Sequence, residues 1–274
     1  NLVGPLYERL LENGFNGLFL EPEEALTHIT RKTLLVICDT HVKPFLESQE
    51  VFEACKSVVV IDHHRKMVDH IDNAVIFYHE PDASSAAEMV TELIQYFGDR
   101  YRISRYEAEA LLAGIMLDTK NFVIKTGVRT FEAAAYLRKI GADTVEVRKL
   151  FAIHMDAYQL KAKLVANARI YKGCAIAVAP DKDVPEIQVT AAQAADELLN
   201  ISGVQASFLI FRMGNVISYS ARSMGQLNVQ LIMEKLGGGG HHTMAGAQIP
   251  DISVEEADSK LTAAIDEFFE ENSR

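Results

Sequence analysis

Three polar residues in succession, Asp62-His63-His64, follow the apolar run Ser57-Val58-Val59-Val60-Ile61. One carboxylate beside two imidazoles offers oxygen and nitrogen donors to a divalent cation, and imidazole can also move a proton near neutral pH. A second carboxylate, Asp39, closes another apolar run, Thr33 to Cys38, and a third, Asp118, ends the stretch Gly114-Ile115-Met116-Leu117. Asp39, His63 and Asp118 together form a mixed set that suits Mn²⁺ or a similar borderline ion better than a thiolate-loving one. Two such ions sharing a carboxylate would lower the pKa of a bridging water and stabilise charge at phosphorus, which is the chemistry of phosphoester hydrolysis. His64, beside the expected ligand, could bond a phosphoryl oxygen or protonate a leaving oxygen. Asp62 is grouped with it as catalytic. The plainer alternatives are an outer histidine that orients a carboxylate, and an aspartate that caps the next element.

These residues need elements that bring them together. The run from Ser57 is short and β-branched, which predicts a buried strand of a parallel sheet with its polar tip at the carboxyl end, where open α/β sheets bind ligands. Thr33 to Cys38 predicts a second buried strand. Leu6, Leu10 and Leu11 predict a helix before Gly14, and Pro22 with Glu23 and Glu24 opens another through about Ile29. Further helices are predicted from Ser84 and Ser85 onward, with Ala86, Ala87, Val90, Leu93 and Ile94 on the buried side. Others are predicted over Tyr106 to about Met116 and over Arg129 to Ile140, the last stopping at Gly141. Residues Val145 to about Ala168 carry helical periodicity and read as a bridge. Beyond it the pattern is strand (Cys174 to Ala179), helix (Ala191 to Leu199), paired strands (Ala206 to Phe211, Val216 to Ala221) turning at Gly214-Asn215, helix (Val229 to Leu236), strand (Ala245 to Ile249) and helix (Val254 to Phe269).

This second half holds candidates for gripping an anion. Arg222, at the end of a predicted strand, is a natural phosphate clamp because guanidinium pairs with oxyanions in a fork. The run Gly237 to Gly240 lacks the Lys-Ser/Thr of a Walker loop, yet four glycines let the backbone approach a ligand and offer N–H groups. His241 follows directly.

The chain has 274 residues, 49% hydrophobic and 24% charged, which favours two soluble domains over one. Its 27 basic and 38 acidic residues leave a charge of −11, which argues against general affinity for long nucleic acid. Three cysteines without ligand spacing predict a reducing compartment and no disulfide framework, so a cytoplasmic setting is expected. No apolar window of membrane-spanning length occurs, nor a basic leader, so no membrane contact is expected from these residues. The first residue is Asn1, and a shortened chain is expected.

Taken in order, Asp39-Thr40-His41, Asp62-His63-His64, Gly114-Ile115-Met116-Leu117-Asp118-Thr119, Ser220-Ala221-Arg222-Ser223 and Gly238-Gly239-Gly240-His241 resemble the motifs of the DHH superfamily of phosphoesterases with its DHH-associated C-terminal domain. Within it the chain most resembles the catalytic region of the GdpP-type cyclic-di-AMP phosphodiesterases, through Glu80-Pro81-Asp82-Ala83-Ser84-Ser85, Thr130-Phe131-Glu132-Ala133-Ala134 and Asn228-Val229-Gln230-Leu231-Ile232-Met233-Glu234.

The resemblance implies an α/β fold: a parallel-sheet DHH domain over residues 1–150, a helical linker over 151–169 and a smaller α/β DHH-associated domain over 170–274. It places the active site in the cleft between the domains. It implies hydrolysis of cyclic di-AMP to 5′-pApA by a homodimer, with two Mn²⁺ per site in complete members. Metal ligands carry over to Asp39, His63 and Asp118, and substrate contacts to Gly238, Gly239, Gly240 and His241, with Arg222 beside them. Full-length members commonly add membrane helices, so a membrane-anchored parent is implied. The family's first motif, a His followed by Asp-x-Asp on an earlier strand, has no counterpart in residues 1–38. The resemblance thus implies that the first strand is missing here and that fewer metals are held. Two readings stay beside the main one: a nano-RNase or pAp phosphatase acting on linear dinucleotides, and an impaired fragment that binds cyclic dinucleotides without cleaving them.

Overall fold

The computed structural model describes all residues except 1, 2, 99–101, 183, 185, 273 and 274. The chain divides into two compact units, Asn1–Ala152 and Ile153–Arg274.

In the first unit, α1 (Gly4–Glu12) and α2 (Pro22–His28) precede β1 (Leu34–Cys38), α3 (Gln49–Ala54), β2 (Ser57–Asp62) and β3 (Ile76–His79). Four helices follow: α4 (Ala86–Tyr96), α5 (Arg105–Asp118), α6 (Val128–Ile140) and α7 (Thr144–Leu150). The three strands form a parallel sheet in the order β1-β2-β3, as the apolar runs predict. Central β2 is buried on both faces. Val58 and Val60 pack with Ile37, Phe52 and Ile71 on one side, and Ile61 packs with Ala83 and Met89 on the other. β1 departs from the expectation of a buried strand. It lies at the sheet edge, and only Ile37 of its five residues is buried while Leu34 and Val36 face solvent.

β3 has no counterpart in the sequence reading, although Ile76-Phe77-Tyr78 is a β-branched and aromatic run. The buried face of α4 also differs from the predicted one. Glu88 and Thr91 are buried along with Met89, because Ser84 Oγ donates to Glu88 Oε2 at 2.6 Å and thereby removes the cost of burying that carboxylate.

The second unit comprises α8 (Met155–Ala166), β4 (Arg169–Tyr171), β5 (Cys174–Val178), α9 (Ile187–Leu198), β6 (Ala206–Met213), β7 (Val216–Ser223), α10 (Val229–Glu234), β8 (Gly239–His241), β9 (Met244–Pro250) and α11 (Val254–Asn272). Its sheet runs β4-β5-β6-β7-β9-β8, with only the β5–β6 pair parallel. One face packs Phe208, Ile210, Ile217 and Tyr219 against α10 and α11; the other packs Leu209 and Phe211 against α9. Residues 151–169, read from the sequence as a linker, contain α8 and the first residue of β4, and α8 buries Leu164 with the α9 core.

The glycine run is not an open loop. Gly239–His241 forms edge strand β8, antiparallel to β9. A Cβ on Gly238 would stand 2.1 Å from the Gly246 carbonyl oxygen, and one on Gly240 would stand 2.5 Å from Ala245 Cα. Close strand packing by itself requires glycine at both positions, whatever part the run has in holding a ligand. Among the described residues, no helix is long and apolar enough to cross a membrane.

Candidate metal centre

Parallel pairing of β1 with β2 sets Cys38 opposite Ile61, so the residues that follow the two strands emerge side by side at the carboxyl end of the sheet. Asp39 donates its backbone N–H to the Ile61 carbonyl at 3.0 Å and adopts φ +66°, a left-handed conformation that aspartate tolerates better than most residues. Asp118 arrives from a different direction as the last residue of α5. That helix lies close to α4 because Gly114 has no side chain: a Cβ there would be 2.9 Å from the Ala87 Cβ. Thr119 then stops the helix, with its hydroxyl donating to the Ile115 carbonyl and accepting from Phe122 N–H.

His63 sits between these carboxylates and is buried. Its Nδ1 lies 3.3 Å from the Ala83 carbonyl oxygen, which can only accept, so Nδ1 carries the proton in the neutral ring and Nε2 presents a lone pair. That Nε2 is 3.3 Å from Asp39 Oδ1 and 3.6 Å from Asp118 Oδ2. The His63 Nε2 lone pair thus points toward two carboxylate oxygens, an arrangement that a shared cation would relieve. Burial first, then the Asp39 charge, pushes the Asp118 carboxyl above the ordinary carboxylate range. The Ala83 carbonyl is itself positioned by the turn into α4, where Ser85 caps the helix by accepting from Glu88 N–H and Ser84 bonds the Glu88 side chain.

Asp39, His63 and His64 offer ligand atoms within 4.8 Å of one another. This tighter group does not include Asp118, which stands near it through its 3.6 Å approach to His63 Nε2. His64 Nδ1 is 2.7 Å from Asp62 Oδ1, and its backbone N–H donates to the same oxygen at 3.1 Å, which leaves Nε2 as the free ring nitrogen on a half-exposed side chain. The bond to Asp62 raises the His64 pKa against the opposing effect of burial. Asp62, expected to be catalytic, is fully buried, with one oxygen taken by His64 and the other by His41 Nδ1. Burial pushes its carboxyl up, but the bonds from His64 and His41 prevail and hold it well below the usual range.

His41 is the residue that the sequence reading passed over as a site member. It is buried; its Nε2 accepts from Met67 N–H at 2.9 Å and its carbonyl accepts from Ile71 N–H at 2.9 Å, so it tethers the segment after the DHH tip. Its place two residues beyond Asp39 at a strand end was the available signal.

The substrate-side candidates belong to the second unit. Arg222, the penultimate residue of β7, has its guanidinium mostly buried. Its Nη1 donates to the Ala221 carbonyl at 2.9 Å, and Nε lies 3.6 Å from Asp196 Oδ1, too far for a hydrogen bond. Burial lowers its pKa, and Asp196 opposes the shift. His241 is exposed at the end of β8.

Comparison with known proteins accounts for this arrangement. Residues 4–115 match the model of the DHH family, N-terminal domain, and residues 176–271 match that of the DHHA1 domain. The chain is 46% identical over 250 residues to the cyclic-di-AMP phosphodiesterase PdeA of Listeria monocytogenes, covering 90% of this chain and 38% of that protein. It is 48% identical over 253 residues to the cyclic-di-AMP phosphodiesterase GdpP of Geobacillus thermodenitrificans, covering 92% and 38%. The chain thus spans well under half the length of these relatives. Among solved structures, an exopolyphosphatase-related protein from Bacteroides fragilis shares the fold with a TM-score of 0.77 at 20% identity, over 96% of this chain and 86% of that one. An N-terminal DHH domain followed by a DHHA1 domain, with the DHH residues at the carboxyl end of a parallel sheet, makes this chain a member of the DHH family.

Proposed function

We propose that the chain is a metal-dependent phosphodiesterase that hydrolyses cyclic di-AMP to 5′-pApA with Mn²⁺ as its cofactor. The observation that carries this reading is the convergence of the His63 Nε2 lone pair with carboxylate oxygens of Asp39 and Asp118 at 3.3 and 3.6 Å. The cyclic-di-AMP phosphodiesterases that are 46–48% identical to this chain support the choice of substrate. Asp39, His63 and Asp118 would hold the cation, a donor set of carboxylate oxygens and one imidazole that fits Mn²⁺. When bound, such an ion polarises phosphoryl oxygens and acidifies water.

The chain's own residues do the remaining work. Ala83 fixes the tautomer of His63, and Asp62 fixes that of His64 and keeps its ring protonated to higher pH. His64, turned outward, delivers a proton to the 3′ oxygen as the phosphorus–oxygen bond breaks. The oxygen of water ends on phosphorus as a 5′ phosphate, and the proton that water gives up passes to solvent, from which His64 is reprotonated. Arg222, Gly238, Gly239, Gly240 and His241 are assigned to substrate recognition, and the chain to a homodimer; sedimentation equilibrium checks the latter.

Purified chain with Mn²⁺ should be offered cyclic di-AMP, pApA, pGpG and pAp in turn. The expected result is conversion of cyclic di-AMP to pApA, lost in Asp118→Ala with an unchanged circular dichroism spectrum. Turnover of the linear substrates alone would assign a nano-RNase or pAp phosphatase instead. Cyclic di-AMP that binds without Mn²⁺ uptake or cleavage would leave only a binding module.

A further inference from the structure

His79, the last residue of β3, has no part in the reaction as argued so far. Its Nε2 lies 2.6 Å from the carbonyl oxygen of His64, 15 residues earlier in the chain. A carbonyl only accepts, so Nε2 carries the proton and donates. The ring meets the His41 ring edge-on at 5.4 Å between centroids and lies against Phe77 at 5.6 Å. His41 is bonded to Asp62, and Asp62 is bonded to both the ring and the backbone N–H of His64. These contacts close a circuit: His79 to His64, to Asp62, to His41 and back to His79. His64 is gripped within it at three atoms, its amide nitrogen, its Nδ1 and its carbonyl oxygen. The residues that follow, 65–69, are exposed and outside regular secondary structure, and their backbone is next anchored at the Met67 N–H bond to His41 Nε2, so the His79 bond is the one that acts directly on the peptide plane after His64.

We propose that His79 is a positioning residue for the hydrolytic centre: its hydrogen bond to the His64 carbonyl fixes the backbone that aims the His64 ring at Asp39 and His63. The inference rests on the reading of that cluster as a metal-dependent phosphodiesterase site. It goes beyond the DHH residues because the holding atom comes from the neighbouring strand, where register sets His79 opposite Asp62.

The test compares the 274-residue chain with His79→Gln, which keeps an N–H donor within reach of the carbonyl, and His79→Phe, which keeps a ring against His41 and Phe77 but donates nothing. In His79→Phe, kcat for cyclic di-AMP should fall about tenfold with KM within about twofold, the effect of one hydrogen bond on a transition state. His79→Gln should recover kcat to within about threefold of the parent chain. Equal losses in both variants would make ring packing the cause, and no loss in either would remove the role; both outcomes overturn the proposal.

A second readout needs neither metal nor substrate. In long-range ¹H–¹⁵N spectra of the metal-free chain, the Asp62-bonded Nδ1 of His64 should move toward a mobile imidazole in His79→Phe and stay in place in His79→Gln. If the parent chain cleaves no cyclic di-AMP, the phosphodiesterase reading fails on its own. The imidazole spectra still decide whether His79 holds His64, and unchanged His64 signals in His79→Phe would sink the claim.

Discussion

At the level of single side chains, charge and stability oppose each other at Asp118. Burial first, then the Asp39 charge, raises its carboxyl above the usual range, so the metal-free fold disfavours its ionised form more than the unfolded chain does. The sign follows directly: its contribution to stability is present below the unfolded-state pKa and is lost as pH rises through the raised one. Asp118→Asn removes that loss, so the metal-free variant should melt at a higher temperature than the parent at neutral pH, as read by calorimetry. The same change should weaken Mn²⁺ binding by at least about 100-fold, the upper end of what even outer-sphere changes cost. Because a cation binds the deprotonated carboxylate, Mn²⁺ affinity of the parent should climb with pH across the acidic range, and titrations in buffers of different ionisation heat should register proton release. Asp39 calls for a different exchange. With φ +66°, Asn keeps the backbone shape while removing the charge, whereas Ala adds strain of about 1 kcal/mol. Asp39→Asn should therefore lose Mn²⁺ heat with little change in melting temperature, and Asp39→Ala should lose both.

Elements set where those side chains stand, and here the sequence was readable in part. Strand-end positions of Asp39, Asp62 and His63 follow from two β-branched runs, because a parallel strand delivers its next residue to one edge of the sheet. Asp118 was legible as a carboxylate after an apolar stretch, but that it meets His63 depends on helix packing, which no local pattern encodes. Gly114 is the residue that permits this packing. Gly114→Ala puts a methyl group 2.9 Å from Ala87 Cβ, so α5 must shift by a few tenths of an ångström. The expected cost is about 1–3 kcal/mol of stability from overpacking, together with weaker Mn²⁺ binding, since Asp118 rides on the same helix. Chemical denaturation and calorimetry measure the two effects separately. His41 escaped the reading because its role depends on tautomer and partner: a histidine that joins Asp62 to the Met67 amide looks, in sequence, like any other histidine after a strand. The glycine run was legible only in part for a related reason. Its composition signals close approach but not whether a ligand or a neighbouring strand makes that approach.

On the scale of the whole chain, the two units have separate cores, and residues Phe151 to Asp156 between α7 and the start of α8 are exposed. Limited chymotrypsin digestion should cut first near Phe151 and release fragments that correspond to residues 1–151 and 152–274, as read by mass spectrometry. Division into two α/β parts was visible from the change in pattern near residue 170, but the boundary lies earlier because helical periodicity cannot say which core a helix serves. The β8–β9 contact carries a genetic consequence. Every missense change in a glycine codon adds a β-carbon, and at Gly238 or Gly240 that atom overlaps the opposite backbone whatever residue is introduced. Selection against this protein's activity would therefore recover lesions at these two codons as readily as at those of Asp39 or His63. Such alleles would leave Asp39, His63 and Asp118 unchanged on a chain whose edge strand β8 can no longer pair closely with β9.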